Sequence, residues 1–305
     1  MSALPLDNYA LILGYLALGL LLRFVPAMPA DSARALNAYV LNVALPALVL
    51  LKIPELTFSA QLWFPILTPW VLLCLVGSTI VLASKWFQWS RDTTIALLIV
   101  LPLGNTSFLG FPMVEAFLGS EQMPVAIIYD QLGSFIALAT YSTILASMYG
   151  HHEQPLKGTA IIKKVLTSPP LLALVLALSI RHYEYPPLMT QWLQSIAATL
   201  VPVVMIAVGF SLRFRLSNDE LKPLLFGLLL TLVLMPIMAY AIGSITGVQQ
   251  QLLHTVVFMA AMPPMISAGA IAIMAGLAPR LASALVGFGV LISFISLPMV
   301  YWILH

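Results

Sequence analysis

Apolar stretches of about twenty residues recur along the whole chain, separated by short polar connections. An α-helix rises about 1.5 Å per residue, so roughly 20 residues cross the ~30 Å hydrocarbon core of a bilayer. The pattern predicts an all-α membrane protein with ten spans, at about 8–25, 33–52, 60–84, 92–118, 122–148, 164–182, 188–212, 221–245, 250–276 and 281–303. Composition agrees. The chain is 61% hydrophobic and 8% charged over 305 residues, where a soluble domain would carry about 25% charged residues. So much apolar surface exceeds what one soluble core can bury, and lipid must serve as solvent. Cys74 is the one cysteine, which excludes a disulfide framework or a cysteine-rich metal site. Met1 to Asp7 holds no Lys or Arg, and no small-residue cleavage site follows. The first apolar run is therefore read as a retained helix.

Basic residues give the spans a direction. The odd-numbered connections hold Arg23, Arg34, Lys85, Arg91, Lys157, Lys163, Lys164, Arg213, Arg215, Lys222 and Arg280, which is 11; the even-numbered ones hold Lys52 and Arg181, which is 2. By the positive-inside rule both termini lie outside, and the 149–163 loop is cytoplasmic. A bacterial inner (plasma) membrane is the expected location.

Prolines then divide the chain into related halves. Span 2 carries Leu45-Pro46-Ala47 and span 7 carries Val201-Pro202-Val203, with 202 − 46 = 156; span 4 carries Pro102 and span 9 Pro263, with 263 − 102 = 161. A five-span half has an odd number of crossings, so the halves face opposite ways. The organisation expected is a first five-helix repeat at 1–148, a connecting loop at 149–163 and a second repeat at 164–305. Interrupted helices at matching places of inverted halves are the sequence pointer to a secondary-transporter site. The bland reading is that membrane helices tolerate proline because neighbours repair the backbone.

Each break offers chemistry. Proline lacks an N–H and clashes with the carbonyl four residues back. Beyond it a second half-helix begins, with unpaired N–H groups and the positive end of a dipole. Two such ends can hold an anion without a buried cation. Asn105, Thr106, Ser107 and Ser267 supply side-chain hydrogen bonds there, Pro263 and Pro264 make the second break, and Asn42 lies four residues before Pro46. These residues are the candidate substrate site. Asp130 and Glu115 are the two carboxylates well inside spans. An intramembrane acid defaults to a functional hypothesis, so Asp130 is the candidate to carry a proton or coordinate Na+. Its alternative is a structural hydrogen bond. Glu115 reads as a solvated or structural acid, His254 as interfacial, and His151 and His152 as loop residues without a metal site. No nucleophile, base or metal cluster converges, so no enzyme, catalytic residue or cofactor is expected. No nucleic-acid partner is expected either.

Several segments are familiar. Asp31 to Asn37, Leu41 to Ala47, Gly104 to Pro112, Tyr129-Asp-Gln-Leu-Gly133 and Ala261-Met-Pro-Pro264 together resemble the auxin efflux carrier family and its bacterial members. The resemblance implies ten helices in two inverted five-helix repeats, with broken helices 4 and 9 crossing in a transport domain beside a scaffold domain. It places Asn105, Thr106, Pro263 and Pro264 at the crossover. It implies transport of an organic anion such as a mono- or dicarboxylate, by elevator-like alternating access, with membrane lipid as surroundings and a homodimer through the scaffold. The plant carriers have Asn-Pro at both crossovers, whereas this chain has Gly104-Asn105 and Pro263-Pro264. The alternative function is a membrane-embedded anion sensor with a transporter fold.

Overall fold

The computed structural model describes residues 6–151, 158–212 and 220–305. Lys157, Arg213, Arg215 and the middle of the 149–163 loop lie outside the described residues. Thirteen helical segments form among the described residues. They are α1 (Leu6–Leu22), α2 (Ser32–Glu55), α3 (Ala60–Phe87), α4 (Arg91–Val100), α5 (Thr106–Leu118), α6 (Ser120–Tyr149), α7 (Gly158–Leu166), α8 (Pro169–Ser179), α9 (Pro187–Ser211), α10 (Leu221–Thr246), α11 (Gln250–Ala260), α12 (Ile266–Met274) and α13 (Pro279–Leu304). Six of them are long and apolar enough to cross a membrane, namely α2, α3, α6, α9, α10 and α13. The expected spans at 8–25 and 164–182 appear as shorter apolar helices. Those at 92–118 and 250–276 each appear as two helices, α4 with α5 and α11 with α12. The chain is an integral membrane protein.

Local chemistry explains the ends. Ser90 Oγ accepts the Thr93 N–H at 3.2 Å and caps α4. Gln88 closes α3 and Gly247 closes α10, both in the left-handed conformation that frees a helix end. Within α2, α5 and α10, three wide π-turns end two residues before a proline: Val40–Ala44 before Pro46, Thr106–Gly110 before Pro112, and Leu230–Leu234 before Pro236. A proline ring clashes with the carbonyl four residues back, which here belongs to Asn42, Phe108 and Leu232, all inside the turn. Widening the turn moves that carbonyl away and lets the helix continue.

Two compact units share the chain. The first comprises residues 1–59, 107–127 and 164–212, and the second 60–106, 128–163 and 213–305. In the first, α1 and α9 approach backbone to backbone. A Cβ on Gly19 would lie 2.2 Å from the Ile206 carbonyl oxygen, and one on Gly209 2.2 Å from that of Leu16. Small residues are the usual means of such contact in lipid, where no hydrophobic drive pulls helices together. Tyr39 Oη and Thr199 Oγ1 hydrogen-bond at 2.8 Å, the Tyr185 hydroxyl donates to the Leu50 carbonyl at 3.1 Å, and Arg23 Nη1 donates to the Leu212 carbonyl at 2.6 Å. The last places a cation at the negative end of α9.

In the second unit, α13 packs along α4, α10, α11 and α12, and α3 packs against α6 near Asp130–Ser134. Gly133 meets the Pro69 ring, where a Cβ would come within 2.3 Å. Trp70 Nε1 donates to the Leu132 carbonyl at 3.1 Å.

Candidate functional site

The second unit contains a crossing of two short non-helical segments. α4 stops at Val100, two residues before Pro102, and α11 stops at Ala260, three before Pro263. Between α4 and α5, and between α11 and α12, the chain leaves the helical path in short irregular stretches. The two stretches pair at an isolated antiparallel bridge of Gly104 with Pro264. Asn105 N–H donates to the Pro263 carbonyl at 2.7 Å, and Met265 N–H to the Leu103 carbonyl at 3.0 Å. The prolines cannot donate, so the pairing rests on the Pro263 and Leu103 carbonyls and on the N–H groups of Asn105 and Met265. The Met262 N–H reaches back to the Met259 carbonyl at 3.3 Å, which supplies one acceptor that the helix break leaves over. At Gly104 a Cβ would sit 3.2 Å from Met262 Cβ, so glycine lets the two backbones meet.

Just past the crossing lies a buried polar cluster. Asp130 is fully buried. Thr106 Oγ1 donates to its Oδ1 at 2.5 Å, and Gln131 Nε2 donates to its Oδ2 at 2.7 Å. Both carboxylate oxygens thus accept from neutral donors. Asp130 opens a π-turn, Asp130–Ser134, that no proline follows, and a second such turn comes at Leu138–Ser142. Single π-turns inside α-helices are frequent at functional sites.

Two polar atoms of this region have no hydrogen-bond partner among the described residues although both are buried: Asn105 Nδ2 and Gln131 Oε1. Asn105 and Gln131 are each 1% exposed. Leaving a buried donor or acceptor unmatched costs about 1–3 kcal/mol, so nearly every such group in a stable fold has a partner. One is a donor and the other an acceptor, which suits a polar ligand.

The sequence candidates distribute as follows. Asn105, Thr106, Asp130, Pro263, Pro264 and Ser267 all belong to the second unit. Ser267 is half-buried in the first turn of α12. Ser107 is the first residue of the chain's return to the first unit. Asn42, also in the first unit, is exposed and donates to the Ala38 carbonyl of its own helix at 2.7 Å. Glu115 projects from α5 into a cavity of ≈ 300 Å³ in the first unit, lined also by Asn8, Tyr15 and Pro202. Gln131 was not singled out. Its signal was present, since an amide beside an acid inside an apolar span stands out as much as the acid does. A search for charge passes over it.

A profile of membrane transport proteins matches residues 9–301. An uncharacterized transporter of Methanothermobacter thermautotrophicus is 26% identical over 297 residues, covering 94% of each chain. An uncharacterized transporter of Methanocaldococcus jannaschii is 27% identical over 218 residues, covering 68% of this chain and 69% of the relative.

Proposed function

The chain belongs to the membrane transport protein family, the auxin efflux carrier family that its segments resemble, and from that premise we propose that it is a secondary transporter of a small organic anion. The observation that carries the substrate class is the buried amide of Asn105, a donor without a partner beside a crossing from which two helices set out. The first turn of α12 presents N–H groups that have no partner inside its helix. The dipole of α12 puts positive potential there. A substrate carboxylate held near Asn105 and Ser267 accepts these donors, with Thr106 and the rings of Pro263 and Pro264 shaping the pocket.

In this reading, α4–α5 and α11–α12 are the broken fourth and ninth helices of a ten-helix inverted repeat. Both termini face outward, across a bacterial inner membrane. The transport domain carries the crossing, and it moves as one body in elevator fashion. Each ligand favours the inward or outward state only by its difference in affinity for the two. Asp130 couples the cycle to H+ or Na+, because its carboxylate shares Thr106 with the crossing. Residues 1–59 and 164–212 of the first unit, with Asn42, form the scaffold through which two copies associate.

Uptake of radiolabelled malate, malonate and indole-acetate into proteoliposomes, under imposed pH, Na+ and voltage gradients, tests the proposal. Saturable uptake that falls about tenfold or more in Asn105→Ala is the expected result, the loss of one charge-assisted hydrogen bond of roughly 1.5–3 kcal/mol. Thermal stabilisation by one of these acids without any flux would instead identify an anion sensor.

A further inference from the structure

Asn105 Nδ2 and Gln131 Oε1 stand at the two ends of one short run of contacts. Asn105 precedes Thr106, whose hydroxyl donates to Asp130 Oδ1, and Gln131 Nε2 donates to Asp130 Oδ2. All four residues belong to the second unit and are at most 1% exposed. The two end atoms have no hydrogen-bond partner among the described residues, so they do not serve each other.

The local fold explains why Gln131 is there. Adjacent residues of a regular helix do not face one another, yet Gln131 reaches back to Asp130, where the wide turn Asp130–Ser134 begins. The next two residues are committed to α3: the Leu132 carbonyl accepts from Trp70, and Gly133 meets the Pro69 ring. The Asp130 side chain turns to Thr106 instead and holds the Gln131 amide beside it. A carboxylate oxygen only accepts, so the NH2 end of that amide faces Asp130 and its oxygen is the end left over.

The idle pair is therefore one N–H donor, on Asn105, and one carbonyl acceptor, on Gln131. These make different demands on a ligand. A plain carboxylate accepts from Asn105 but leaves Gln131 Oε1 facing an atom of like partial charge. A carboxylate with an ammonium beside it brings three N–H groups to one idle side-chain acceptor. A carboxylate with a hydroxyl on the neighbouring carbon brings an acceptor and a single O–H, which matches the pair in number and kind. A site built for a hydroxyl discriminates against the analogue without it, because its own buried group is then left unpaired.

We infer that Gln131 sets the specificity of the site: its Oε1 accepts a hydrogen bond from a hydroxyl on the carbon next to the substrate carboxylate, and the substrate is a 2-hydroxy acid. This rests on the reading of the chain as an organic-anion transporter with the carboxylate at Asn105.

The test compares acids that differ by that hydroxyl alone. The full chain in proteoliposomes is assayed for saturable uptake of lactate against propionate and of malate against succinate. The hydroxy acid of at least one pair is expected to have the lower KM, by about tenfold or more, the worth of one buried hydrogen bond. Gln131→Met keeps the length of the side chain without its polar atoms and should abolish that advantage. Asn105→Ala should weaken both members of the pair alike and keep it. Thermal midpoints in detergent report whether the variants fold, and the wild-type KM ratio decides without them. Equal KM values within both pairs would overturn the role of Gln131 while leaving an anion transporter. An advantage that survives Gln131→Met in a folded variant would place the partner of the hydroxyl elsewhere and overturn it too. Neither uptake of nor stabilisation by any of the four acids would remove the anion reading itself, and this inference with it.

Discussion

At the scale of single residues, the cluster around Asp130 is where chemistry and packing meet. Its carboxylate takes hydrogen bonds from Thr106, at the start of α5, and from Gln131, on its own helix. Asp130→Asn keeps the shape and removes the ionisable group. The proposed coupling predicts that the variant still binds substrate, while uptake loses its dependence on imposed pH or Na+ gradients. Uptake that keeps that dependence would show that the coupling group lies elsewhere. Asn105, Thr106 and Asp130 could be singled out in the sequence because a polar group inside an apolar run is expensive and therefore conspicuous. What each one bonds to could not be read. The Asn105 N–H finds the Pro263 carbonyl across 158 positions of chain (263 − 105), and no local pattern encodes such a pairing. Gln131 escaped for a different reason, since an uncharged amide weighs less than an acid in any search built on charge.

At the scale of elements, helical character and span length were legible because the bilayer imposes both. Hydrogen bonding must close within the helix, and a near-constant thickness sets its length. The three proline-linked π-turns were not anticipated, although their cause is local. Sequence reasoning treats proline as a break, whereas at Pro46, Pro112 and Pro236 the preceding turn widens and the helix runs on. Helix pairing was likewise hidden, and the contact of α1 with α9 shows why. Gly14, Gly19 and Gly209 look alike in sequence. A Cβ would meet nothing within 4 Å at Gly14, but a backbone oxygen 2.2 Å away at each of the other two. Gly209→Leu should therefore lower the thermal midpoint in detergent, by the roughly 1–3 kcal/mol or more typical of overpacking. Gly14→Ala should leave it unchanged or raise it, since alanine favours a helix over glycine by about 1 kcal/mol. Equal midpoints for the two variants would mean that α1 and α9 do not touch through these glycines.

At the scale of the whole molecule, the bias of basic residues makes a prediction that is independent of substrate. With Cys74 replaced by Ser, a cysteine placed at Ser120 should react with a membrane-impermeant maleimide in intact cells. One placed at Gln88 should react only after permeabilisation. The reverse pattern would invert the assignment of both termini to the outside. The division of the chain into two interleaved units was the part of the architecture least visible beforehand, because contiguous stretches of sequence suggest contiguous bodies. The chain instead passes from one unit to the other after residues 59, 106, 127, 163 and 212. That interleaving governs biogenesis. Residues 60–106 leave the ribosome with their partners α10 to α13 still unmade, and at roughly 5–20 residues per second they wait for many seconds beside the insertion machinery. The first unit is complete once Leu212 has emerged. The second closes only when α13 arrives, so the Asn105 amide and the Asp130 carboxylate spend that interval in nascent chain without the crossing that later encloses them.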